Sequence, residues 1–299
     1  MKKILNTIVI IILFVIMFLI ILGLFNVDKV YKFIKQKKLY SDNITINNNE
    51  YAKNQSYNYV KLTNDFITNS KEETINILYT IINSGNASFT FYCDSYYDNC
   101  VEDFKTIIND STIISNINNF VHPYNSFTNI GVIYDNEKME VTVQKKYTNN
   151  EIVLLNSKVN EIINNEITSD MTNIDKIRSI HNFIINNSYY VQNSETQIGK
   201  ATDILLKGYG LCASYTDAMA LFLDKFNINN YKISTSDHIW NLVNINNNWL
   251  HLDLTYDDPV VSDGSNMLLN DLFLINTNSL KKLNTKQHNF DENIFSEAK

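Results

Sequence analysis

The 299-residue chain predicts an α+β fold, in which helices and antiparallel strands occupy separate stretches of the sequence. Three observations carry this. A run of helical period opens at Cys212, directly after the glycine-bearing loop "KGYG". Two alternating segments follow within Asp237–Pro259 and meet at Asn246 and Asn247. Upstream, helix-period and strand-period stretches alternate between residues 70 and 150.

Ile4–Phe25 is almost uninterruptedly apolar. At about 1.5 Å per residue it is long enough to cross a bilayer, and it exceeds the roughly 7–15 apolar residues of a cleaved signal segment. Residues 1–28 are therefore expected to be a membrane anchor in contact with lipid. Residues 29–69 are polar and Asn-rich and read as a juxtamembrane stalk, whose Lys29, Lys32, Lys35, Lys37 and Lys38 suit anionic headgroups. A bare count of flanking lysines would place the body in the cytoplasm. Beyond residue 39 the chain holds 18 basic and 31 acidic residues, a net charge of −13. That balance excludes a nucleic-acid-binding class, which needs a positive face. Apolar residues make up 44% of the chain, enough for a sizeable core.

Residues 70–150 are expected to form a small α/β domain. "KEETINILYTIINSG" has helical spacing and ends in a turn signal, "ASFTFYC" reads as a strand, and 101–119 reads as a second helix. "FTNIGVIYD" and "KMEVTVQKKY" read as strands joined by "DNEK". Cys93 and Cys100, in "CDSYYDNC", are either two unrelated thiols or a short disulfide loop suited to an oxidising exterior. His122 falls in a loop and is expected to be incidental.

Residues 151–299 are expected to form the second domain. "NSKVNEIINNEIT" is amphipathic, and Ile174, Ile177, Ile180 and Ile184 form the core stripe of the next helix, with His181 as a hydrogen-bonded packing residue. Cys212 starts a helix striped by Leu211, Tyr215, Ala218, Met219, Phe222 and Phe226. A cysteine there is either a buried small apolar residue or a thiolate favoured by the helix N-terminus. Gly208 and Gly210 allow a tight turn and close approach to the backbone. A two-residue turn at Asn246 and Asn247 pairs Ile245 with Asn248. It puts Ile239, Val243, Ile245, Leu250, Leu252 and Leu254 on one face, and His238, Trp240, Leu242, Trp249, His251, Asp253 and Thr255 on the other. His238 and Asp253 are then diagonal neighbours within hydrogen-bonding reach. With Cys212 they supply a nucleophile, a base and an orienting carboxylate.

At this point the sequence resembles the transglutaminase-like superfamily, through "GYGLCASYTDAMALFL", "DHIWNLV" and "WLHLDLTYDDP". Cys212, His238, Trp240, Asn241, Asp253, Thr255 and Asp257 match the family pattern. The tail "LFLINTNSLKKLNTKQHNF" is similar to the closing segment of bacterial members. The resemblance spans about 165–290. It implies a papain-like α+β core with Cys212 as nucleophile, His238 as general base then acid, and Asp253 as orienter. It also implies peptide or protein amide substrates, with hydrolysis and acyl transfer to an amine both open, and a body outside the cell membrane. Tyr209, Gly210, Trp240, Asn241, His251 and Thr255 are expected around the site, and Tyr209, Gln192 and Gln197 are candidates for the oxyanion partner. No cofactor is expected. No metal is expected either, with Asp257 and Asp258 read as turn-capping rather than calcium ligands. The alternative class is a non-catalytic binding or scaffold module at the cell surface.

Overall fold

The structure, a computed structural model, describes residues 66–135, 138–191, 199–260 and 267–298. The expected anchor, most of the stalk, and Gln192 and Gln197 lie outside the described residues. Among the described residues no helix is long and apolar enough to cross a membrane.

The first half is built on a four-stranded sheet. Strand β1 (Phe66–Thr68) pairs in parallel with β2 (Ser88–Cys93), which pairs antiparallel with β4 (Lys138–Lys145), and β3 (Phe127–Tyr134) closes the order β1-β2-β4-β3. β1 comes from residues read as stalk, and its Phe66 and Thr68 point into the core while Ile67 points out. Helix α1 (Lys71–Asn83) starts where the Ser70 side chain accepts from Glu73 N. The helix expected over 101–119 is two helices, α2 (Cys100–Asn109) and α3 (Ser111–Phe120). Asp110 divides them: its side chain accepts from Thr112 N and Ile113 N, so it caps a new helix rather than continuing the old one. Cys93 and Cys100 form a disulfide that ties the end of β2 to the start of α2.

Helix α4 (Asn149–Glu166) and helix α5 (Asn173–Asn187) each begin with a capping box, Thr148 with Glu151 and Thr172 with Asp175. The expected boundary at 150/151 falls inside α4. On α5 the stripe is buried at Ile177, Ile180 and Ile184, whereas Ile174, in the first turn, is exposed. A short parallel ribbon joins β5 (Tyr189–Tyr190) to β6 (Tyr209–Gly210). Helix α6 (Cys212–Lys225) follows, and the second sheet has the order β10-β9-β8-β7, all antiparallel: β7 (Asn230–Ser234), β8 (Ile239–Ile245), β9 (Asn248–Leu252) and β10 (Phe273–Ile275). Helix α7 (Thr277–Lys282) leads into the tail. The described residues thus combine helices with two largely antiparallel sheets.

Helix α6 is buried along Ser214–Leu223, on every side rather than along one stripe. It packs on β7 and β8, where Thr216 Oγ1 donates to Ile239 O and Asn241 Nδ2 donates to Thr216 O. Its buried Asp217 is held by Lys146, Lys232 and the Tyr147 hydroxyl at 2.7–3.1 Å. The other face of the second sheet shares one buried cluster with the first half. Phe120 lies 5.0 Å from the Tyr231 ring and 5.7 Å from the Phe295 ring. The described residues thus fall in a single compact unit.

Candidate active site

The hairpin sets the site. Asn246 (φ 53°) and Asn247 (φ 64°) are both left-handed, as a tight two-residue turn requires, and Ile245 pairs with Asn248. That register puts His238, just before β8, and Asp253, just after β9, on one face. His238 Nε2 meets Asp253 Oδ2 at 2.5 Å. Cys212 lies close enough to the same imidazole to act on it electrostatically.

Cys212 is the first residue of α6 and the free cysteine among the described residues; it is half-buried. By position its N–H has no acceptor within the helix. The preceding loop brings it close. Gly208 has φ +79°, and a Cβ on Gly210 would sit 2.6 Å from Ser214 Cβ, so only glycine lets this strand lie against the helix. Gly210 pairs with Tyr190, and Tyr209 with Tyr189, whose ring lies 5.8 Å away. Tyr190, not anticipated from sequence, stands near Cys212. Its hydroxyl is shifted up by burial and then by the negative charges of Cys212 and Asp253.

Asp253 is fully enclosed but completely bonded. Its Oδ1 accepts from Thr255 N at 3.0 Å and Tyr256 N at 3.3 Å. Its Oδ2 meets His238 and a second imidazole, His288 Nε2, at 2.8 Å. Burial raises the carboxyl, yet hydrogen bonds from both imidazoles outweigh burial and hold it down at about 2. For His238 burial acts downward, but the bond to Asp253 and the charges of Asp253 and Cys212 lift it to about 10.

Trp240 and His251 share the face but serve a different end. Trp240 stacks on His238 with ring centroids 5.7 Å apart, and its Nε1 donates to His251 Nδ1 at 2.9 Å. His251 Nε2 must then carry the proton, which it offers to Thr277 Oγ1 at 2.9 Å. Burial, followed by the charge of His288, pushes His251 down to about 3, so it stays neutral. Asn241 lies under α6, on the opposite face. Thr255 bonds Asp253 through its backbone, while its buried Oγ1 has no partner among the described residues. Asp257 and Asp258 are buried brackets: Asp257 Oδ2 meets His181 Nε2 at 3.0 Å, and Asp258 accepts from the Tyr215 hydroxyl. They tie the turn after β9 to α5 and α6. His122 is buried too, accepting from Tyr124 N through Nδ1.

The residue that sequence reasoning missed is His288. It sits in "TKQHNF", a short stretch with no periodicity, and reaches Asp253 across 35 positions of sequence. His238, Asp253 and His288 bring nitrogen and oxygen atoms within 4.8 Å of one another. Hydrogen bonds between imidazoles and carboxylate already account for that clustering, and no metal is assigned to it.

The fold and site together define a class: an α+β protein whose helix-borne cysteine faces a histidine and an aspartate carried by an antiparallel hairpin. Solved structures similar to the chain include these two. One is a TGase, at 9% identity and TM-score 0.33, covering 64% of this chain and 60% of that one. The other is reported as a "Putative Cysteine Protease from Cytophaga hutchinsonii", at 12% identity and TM-score 0.29, covering 47% of this chain and 65% of that one. The chain thus spans less than two thirds of the length of either. No protein-family model and no curated protein matches it.

Proposed function

We propose that the chain is a transglutaminase-like thiol enzyme that acts on amide bonds of peptides or proteins through Cys212, His238 and Asp253. The observation that carries this is a single imidazole, His238, bonded at 2.5 Å to a buried carboxylate and lying beside Cys212, the first residue of α6. The nucleophile is the Cys212 thiolate, with a protonated His238 beside it at the N-terminal end of α6. The thiolate attacks the amide carbonyl carbon, and the oxyanion forms near the Cys212 N–H. His238 gives its proton to the departing amine as the C–N bond breaks, leaving a thioester on Cys212. Water or a second amine then attacks the thioester, losing a proton to His238 as the sulfur departs. Asp253 holds the ring and its charge throughout.

The proposal extends to location. Residues 4–25 anchor the chain in a bilayer, and the body faces an oxidising side, which the Cys93–Cys100 disulfide favours.

The test is to offer the full-length chain peptides with glutamine or backbone amides, and to score amine release in water against incorporation of a fluorescent primary amine. Either product is expected, with Cys212→Ala lowering the rate by about 10³-fold or more. If neither product forms with any peptide pool, and Cys212 alkylates no faster than a free model thiol, the chain is a non-catalytic module.

A further inference from the structure

Asp253 has two oxygens and four bonds. Both backbone N–H groups fall on Oδ1, so both side-chain partners share Oδ2. His238 takes that oxygen at 2.5 Å and His288 takes it at 2.8 Å. His288 is buried and held from its far side by Thr285 Oγ1, 2.6 Å from Nδ1. Its ring is clamped edge-on, 4.8 Å from Trp240 and 4.6 Å from Tyr256. The Tyr256 hydroxyl donates to the side chain of the neighbouring Gln287. The tail is thus pinned with one nitrogen aimed at the same atom that His238 uses.

We propose that His288 is a positioning residue, which shares Asp253 Oδ2 with His238 and so limits how much of the carboxylate's charge His238 receives. This rests on the reading of Cys212, His238 and Asp253 given above. A carboxylate oxygen that accepts two N–H bonds gives less to each than one that accepts a single bond. The low value of Asp253 agrees, since both imidazoles contribute to it. The other ionisable groups around His288 are His238 ahead of β8, His251 on β9, Asp253 and Tyr256 in the following turn, and Lys281, Lys286 and Glu292 in the open cleft beside it.

Three variants of the full-length chain test this by NMR titration of the His238 ring proton, with kinetics in parallel. His288→Phe keeps the ring volume and removes the donor. His288→Gln keeps a donor near the Nε2 position. Thr285→Val leaves His288 in place but frees Nδ1. His288→Phe is expected to raise the His238 midpoint by about half a unit or more. It is also expected to lower kcat on the order of tenfold, with KM within about twofold, inside the roughly hundredfold that small misplacements cost. His288→Gln recovers most of both effects, and Thr285→Val moves the midpoint in the same direction by less. An unmoved midpoint in His288→Phe and Thr285→Val overturns the proposal. So does equal loss in the Phe and Gln variants alongside an equal fall in Tm, which would mean packing alone. Should His288→Phe fail to fold, the Gln and Val variants decide. If the parent turns over no amide, the enzymatic reading fails while the titration still judges His288.

Discussion

The hairpin carries two histidines, His238 and His251, with opposite electrostatic fates, and the cause is what each nitrogen touches. His238 faces a carboxylate and a thiol; His251 faces an indole N–H and a hydroxyl. The sign of their contributions to stability follows. His238 is raised from 6.5 to about 10, so its contribution is whole below pH 6.5 and is lost as pH rises through about 10. His251 is lowered from 6.5 to about 3, so its contribution is present above pH 6.5 and is lost as pH falls through about 3. His251→Phe leaves Trp240 Nε1 without its acceptor, while Thr277 Oγ1 keeps its bond to Ala298 O, at a cost of about 1–3 kcal/mol at neutral pH. The same variant should lose less stability than the parent between pH 6.5 and 3. Tm measured against pH for both proteins checks this; parallel curves would show that His251 is not held neutral. From sequence, alternation alone placed both histidines on one face. It did not separate their roles, because the partner Thr277 comes from a distant helix.

At the scale of elements, the hairpin and the helix start were readable because each is set by neighbours in sequence. Alternation from His238 to Thr255 and two asparagines at the turn determine the register, and a slip of one residue would turn Asp253 away from His238. Asn246 and Asn247 sit at positive φ, where glycine carries no steric penalty. Asn247→Gly should therefore raise stability by about 0.5 kcal/mol, seen as a higher Tm with unchanged Cys212 reactivity. A lower Tm would mean that the turn is not the two-residue form. The break between α2 and α3 was less readable, since Asp110 acts as a cap through its side chain while the apolar period runs on past it. β1 was hidden as well: three residues carry no period, and their pairing partner, β2, lies more than twenty positions on.

At the scale of the molecule, two stretches that read as separate domains share a core. Phe120, from the first, lies against Tyr231 and Phe295 from the second. No local pattern encodes such a contact, so sequence showed two amphipathic regions and not their common interior. Phe120→Ala should cost about 3–5 kcal/mol, and circular dichroism should show one cooperative transition at lower temperature. Two separate transitions would show that the halves fold independently. The tail belongs to this scale too. Phe295 closes the core and His288 closes the site, so the last residues hold both together.

Cys212, His238 and Asp253 are proposed to work as one unit. The most direct measurement is the rate of Cys212 alkylation by iodoacetamide between pH 5 and 8, in the parent and in Asp253→Asn. The parent should react at pH 6 about tenfold faster than a free model thiol, because an imidazolium held by Asp253 stands beside the sulfur. Asp253→Asn should bring that rate close to the model thiol. A parent that reacts like the model thiol, or an Asp253→Asn variant that reacts like the parent, would contradict the account.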